Sequence, residues 1–148
     1  MARVAKAIFE AKPKPISFRL DELSAGQRAL VILEHALAVA IERNGVLVVD
    51  EPANFLALQE IQPLLARIKD LTAEGRIQAV LTSHHPIAFD LFAEHSGWWL
   101  ERSPIGPTRK SRISARIESE MPEGIELPLS ELAARGFISD TPQLVSSE

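Results

Sequence analysis

The run Val46-Leu47-Val48-Val49, closed at once by Asp50-Glu51-Pro52, constrains this chain more than any other feature. Four consecutive apolar residues rich in β-branching predict a short strand covered on both faces. Proline, lacking an N–H, stops the strand from continuing. Upstream, Ser24 opens a helix running to about Arg43, where Asn44-Gly45 ends it. That helix is apolar on nearly all sides between Ala29 and Ile41, which predicts that most of it is buried. Downstream, Leu58, Ile61, Leu64, Leu65, Ile68 and Leu71 recur at helical spacing, and Ile77 to Leu81 reads as a second buried strand.

Pro86 to Glu94 reads as a short helix with proline in its first turn, and Gly97-Trp98-Trp99-Leu100-Glu101 as a third strand. The fold class expected is therefore α/β, a parallel sheet with flanking helices, because strand-helix-strand alternation produces that arrangement. Around this centre, residues 1–15 form a basic lead-in ending in Lys12-Pro13-Lys14-Pro15, expected to be extended and solvated. Residues 16–20 alternate as a short strand. Residues 103–148 form an extension, with a turn at 103–107 and an exposed basic stretch at 109–112. Residues 113–117 read as a fourth strand, Leu129 to Ala134 as a helix, and the last residues as frayed.

Composition narrows the class. With 148 residues, 46% hydrophobic and 24% charged, the chain can bury a core. A net charge of −4 argues against a dedicated nucleic-acid binder, though not against a local basic patch. The absence of cysteine excludes disulfides and thiolate metal sites. The longest apolar stretch falls short of the roughly 20 residues a bilayer demands, so the expectation is a cytoplasmic protein with no membrane partner.

Three motifs carry chemistry. In a parallel sheet, ligands bind beyond the carboxyl ends of the strands, and Asp50 and Glu51 stand at such an end. The first can hold Mg²⁺, often through water, and the second can take a proton from an attacking water. The plain alternative is a strand end followed by a turn. Ser24-Ala25-Gly26-Gln27 has the spacing of a capping box, which accounts for Ser24 and Gln27. It leaves Gly26 unexplained, because glycine costs about 1 kcal/mol against alanine inside a helix. A close approach to the backbone explains it, with a phosphate at the helix N-terminus the natural visitor. Finally, His84-His85-Pro86 follows the second strand. Adjacent histidines in extended chain point oppositely, so one of the pair, His84, is expected to face a terminal phosphate. His35 and His95 read as structural.

Taken together and in this order, Leu23-Ser24-Ala25-Gly26-Gln27, residues 46–52 and Ser83-His84 resemble the signature motif, Walker B strand and switch histidine of ABC-type ATPases. The resemblance spans about residues 18–102 and is nearest the soluble SMC, RecF and OLD-like branch, including AAA-family ATPases. It implies part of a P-loop NTPase-type sheet, with ATP and Mg²⁺ as ligands. It also implies Asp50 as the metal residue, Glu51 as general base and His84 on the γ-phosphate, with Ser24, Gly26 and Gln27 reaching ATP held by an opposing head. Residues 54–58 stand where a dimer-interface loop lies but lack its aspartate, and Ala25 replaces the first signature glycine.

No G-x-x-x-x-G-K-[ST] loop occurs in these 148 residues. The resemblance therefore implies the C-terminal lobe of an ATPase head that hydrolyses ATP only with a Walker A-bearing lobe. An expressed fragment, a split gene and a truncated relic all fit. Uncovered strand edges predict self-association. The competing reading is a non-catalytic module binding a partner ATPase or a nucleic-acid complex through Arg3, Lys6, Lys12 and Lys14 and the cluster Arg109, Lys110, Arg112 and Arg116.

Overall fold

The computed structural model describes residues 6–9, 14–102, 106–120 and 127–135. It forms two compact units that divide between Ser83 and His84.

In the first unit, β1 (Lys6–Phe9) pairs antiparallel with β2 (Ile16–Arg19). Part of the basic lead-in is thus a paired, extended strand with Ile8 exposed, while residues 10–13 lie outside the described residues. After a single turn of 3₁₀ helix at Leu20–Glu22, Ser24 caps α1 (Ala25–Glu42). The capping box forms in full: the Gln27 N–H donates to Ser24 Oγ at 3.1 Å and the Ser24 N–H donates to Gln27 Oε1 at 3.0 Å. Asn44, with a left-handed φ of 46°, turns the chain into β3 (Val46–Asp50). From there α2 (Leu58–Ala73) leads to β4 (Gln78–Thr82), which pairs parallel with β3 from Val46↔Gln78 to Asp50↔Thr82.

One core joins α1, β3, α2 and β4. Leu33, Leu37 and Ala40 of α1 meet Leu47 of β3, while α2 turns in Ile61, Leu64, Leu65, Ile68 and Leu71. Each leucine or isoleucine among them contributes about 1.5–3 kcal/mol on leaving water. The other side of the sheet is bare. Val46, Val48 and Val80 are 57%, 72% and 55% exposed, so the expected two-sided burial of β3 is corrected. Strand residues alternate between faces, and the described helices cover only the face that carries Leu47. The same holds for α1, which buries one stripe and leaves Ile32 in solvent.

In the second unit, His85 caps α3 (Pro86–Ser96), and Gly97 turns into β5 (Trp98–Arg102). A Cβ on Gly97 would lie 2.7 Å from Ile113 Cδ1 and closer still to the Ala93 backbone, so only glycine fits. β5 pairs antiparallel with β6 (Thr108–Arg112), followed by α4 (Ile113–Glu120) and α5 (Leu129–Ala134). Two expectations are corrected here. The expected third strand, β5, pairs antiparallel with the basic stretch, whose Arg109, Lys110 and Arg112 are exposed, rather than joining the parallel sheet. Residues 113–117 are helical rather than extended. Ile113 and Ile117 fit a helical stripe as well as an alternation, and burial of Ile113 and Arg116 on one face settles it. Packing of α4 and α5 on α3 completes the unit, with the Asp90 carboxylate accepting from both Ser130 N and Oγ at 2.8 Å.

Candidate functional site

The carboxyl ends of β3 and β4 meet at the register pair Asp50↔Thr82. The Thr82 hydroxyl donates to Asp50 Oδ1 and receives the Glu51 N–H at 3.2 Å; that N–H also donates to the Thr82 carbonyl at 3.0 Å. Asp50 is exposed and Glu51 half-buried. Glu51 departs from the strand with φ 49°, a left-handed conformation that costs a non-glycine residue about 1–2 kcal/mol. That bend redirects the backbone into two tight turns, Asn54 N donating to Glu51 O at 3.0 Å and Leu56 N to Ala53 O at 3.2 Å. Pro52 is buried beneath them, and Phe55 is again left-handed at φ 68°.

This loop lies on the first turn of α1. A Cβ built on Gly26 would collide with the Phe55 carbonyl oxygen. The close approach that the sequence assigns to a phosphate is thus made by the chain's own backbone. Gly26 joins the Ser24–Gln27 turn to the loop that carries Glu51, and Arg28 Nη1 secures the same corner by donating to the Leu23 carbonyl at 2.9 Å. The side chains of Ser24 and Gln27 are engaged in the capping box.

His84 and His85 divide two tasks. His85 Nδ1 accepts from the Ile87 N–H at 3.3 Å and its carbonyl accepts from Ala88 and Phe89, so His85 starts α3. His84, exposed, precedes that cap as the first residue of the second unit. His35 and His95 are exposed on α1 and α3. Sequence reasoning gives no role to Thr82, whose signal is its place opposite Asp50 in the parallel register.

The grouped basic residues are of two kinds. Arg116 is buried: Nε donates to Ser111 Oγ at 2.6 Å, Nη2 lies 3.7 Å from Glu101 Oε2, and the guanidinium sits 5.8 Å from the Trp99 ring centre. It is an internal strut rather than a surface cation, which corrects its inclusion in a basic patch. Arg109, Lys110 and Arg112 are exposed.

Asp50 and Glu51 are hard oxygen donors at an open strand end. No cluster of three or more histidine, cysteine, aspartate or glutamate side chains capable of holding a metal occurs among the described residues. The Asp50-Glu51 pair fits Mg²⁺, which takes one or two carboxylates and fills its shell with water and phosphate oxygens. No helix among the described residues is long and apolar enough to cross a membrane.

No family model matches the chain. Over 119 residues it is 31% identical to the ABC transporter ATP-binding protein YvrA of Bacillus subtilis (strain 168), covering 80% of this chain and 25% of that protein. Its fold matches a solved structure of an SMC ATPase, from work on ATP-driven dimerization and DNA-stimulated activation, with a TM-score of 0.57. That match covers 80% of this chain and 74% of the other at 13% identity. The shared fold is a mixed α/β architecture with a small parallel sheet and flanking helices. The chain spans about a quarter of the curated relative.

Proposed function

We propose that this chain supplies the C-terminal half of an ATP-binding and hydrolysing head and acts with a lobe that carries the phosphate loop. The observation that carries this reading is the carboxylate pair of exposed Asp50 and half-buried Glu51 at the end of a parallel strand, on a loop seated against the first turn of α1. In this reading residues 16–102 are the lobe proper and 103–148 an extension. Asp50 holds Mg²⁺, oriented by the Thr82 hydroxyl. Glu51 takes the proton of the attacking water, and His84 contacts the terminal phosphate. Bound Mg²⁺ would supply charge neutralisation of the phosphate oxygens.

The first turn of α1 presents N–H groups that have no partner within the helix, together with the positive end of its dipole. In this reading the Ser24–Gln27 turn meets a nucleotide held by a second head through its backbone N–H groups, while the Ser24 and Gln27 side chains hold the cap and Gly26 admits the Phe55 carbonyl. The ATP-driven dimerization named for the SMC ATPase neighbour supports that arrangement. The bare apolar face of Val46, Val48 and Val80 supports docking of a further lobe, since such faces are rarely left to water.

ATP turnover tests the proposal. The chain alone is expected to be inactive and to gain Mg-dependent turnover when a phosphate-loop lobe is added in trans, with Glu51→Gln abolishing that gain. Turnover by the chain alone that disappears in Glu51→Gln would overturn the need for a second lobe.

A further inference from the structure

The β5–β6 hairpin has two chemically distinct faces. Trp99, Glu101 and Ser111 turn toward the unit, where Phe89 meets Trp99 edge-on at 5.9 Å and Arg116 engages all three. The other face carries Trp98 opposite Arg112, Leu100 opposite Lys110 and Arg102 opposite Thr108. All six are exposed, Trp98 at 47% and Leu100 at 66%. Lys110 Nζ lies 4.9 Å and Arg112 Cζ 4.3 Å from the Trp98 ring centre. Three cations and an indole thus share one face with no carboxylate among them, on a chain whose net charge is −4.

Charge complementarity selects an anionic occupant, and the ring selects among anions. An acidic peptide would pair with the cations and leave the indole unused. A duplex would offer phosphates but keep its base faces stacked. A single strand presents both phosphates and free base faces, and aromatic rings and guanidinium planes stack bases without regard to sequence. Arg112, already held over the indole, needs little further ordering to take part.

We propose that the outer face of the β5–β6 hairpin binds single-stranded nucleic acid, with Trp98 as stacking platform and Arg102, Lys110 and Arg112 as phosphate contacts. This binding does not depend on the nucleotide-site proposal and is tested separately from it.

The experiment titrates the full chain with a labelled oligothymidylate at low salt, reading anisotropy and tryptophan fluorescence. Saturable binding with quenching is expected, weakening steadily as salt rises. Trp98→Phe should bind within a few-fold of the unsubstituted chain, while Trp98→Leu should lose about tenfold or more. Lys110→Glu with Arg112→Glu should lose at least as much, and duplex DNA or polyglutamate should compete poorly. No binding, binding indifferent to the Lys110 and Arg112 reversals, or equal binding by Phe and Leu at position 98 would overturn the proposal. So would equal competition by polyglutamate. Circular dichroism checks folding; should Trp98→Leu unfold, the paired charge reversals decide the outcome.

Discussion

The carbonyl oxygen of Phe55 occupies the space that a side chain on Gly26 would need. The rest of α1 and all of β3 separate the two in sequence, yet this contact sets the carboxylate loop on the start of α1. Gly26→Ala therefore removes a helix penalty of about 1 kcal/mol but forces the loop off the helix, at about 1–3 kcal/mol. The expected net result is a lower urea midpoint with unchanged helix content by circular dichroism. A higher midpoint would show that the loop yields freely.

The backbone at Glu51 is the next place where local rules are broken. Its left-handed φ favours glycine, so Glu51→Gly should be about 1 kcal/mol more stable than Glu51→Ala. Comparing these two variants cancels the loss of the carboxylate. Equal stability in denaturant would mean that the strain is absent. A conformational cost held at the carboxylate proposed as the general base is the pattern expected where function sets the backbone.

Thr82 bridges Asp50 and Glu51 through one hydroxyl. Thr82→Ser should preserve both bonds, whereas Thr82→Val removes them at about 1–2 kcal/mol. In a complemented ATPase, Thr82→Val should also raise the Mg²⁺ concentration needed for half-maximal turnover. An unchanged Mg²⁺ requirement would show that the Thr82 hydroxyl does not orient Asp50 for the metal.

Arg116 gives the clearest contrast between charge on paper and charge in place. Arg116→Lys keeps the charge but loses the planar fork that reaches Ser111 and Glu101. Its removal from a nearly buried position should cost about 2–3 kcal/mol, read as a drop in the thermal midpoint. Arg109→Ala, at an exposed position, should stay within about 0.5 kcal/mol. Similar behaviour of the two variants would contradict the buried strut.

These cases also show what the sequence can reveal. The start of α1 is legible because Ser24 and Gln27 satisfy each other's backbone, a local device complete within four residues. Leu129 and Ala134 bound α5 as expected. Asp50 and Glu51 are visible because a strand end is a local event. Thr82 is not, because its partner lies 32 residues away and only the parallel register joins them. Residues 113–117 mislead because Ile113 and Ile117 satisfy two periodicities, and tertiary burial chooses between them. The bare face of Val46 and Val48 is illegible for a similar reason: a run of β-branched residues specifies a strand but not how many layers cover it.

Mg-dependent ATP hydrolysis by the purified chain, alone and mixed with a phosphate-loop lobe, tests the half-head assignment most directly when Glu51→Gln is measured in parallel. The predicted result is no turnover alone, turnover in the mixture, and its loss in Glu51→Gln. Turnover in the mixture that persists undiminished in Glu51→Gln would contradict the assignment of Glu51 as the base.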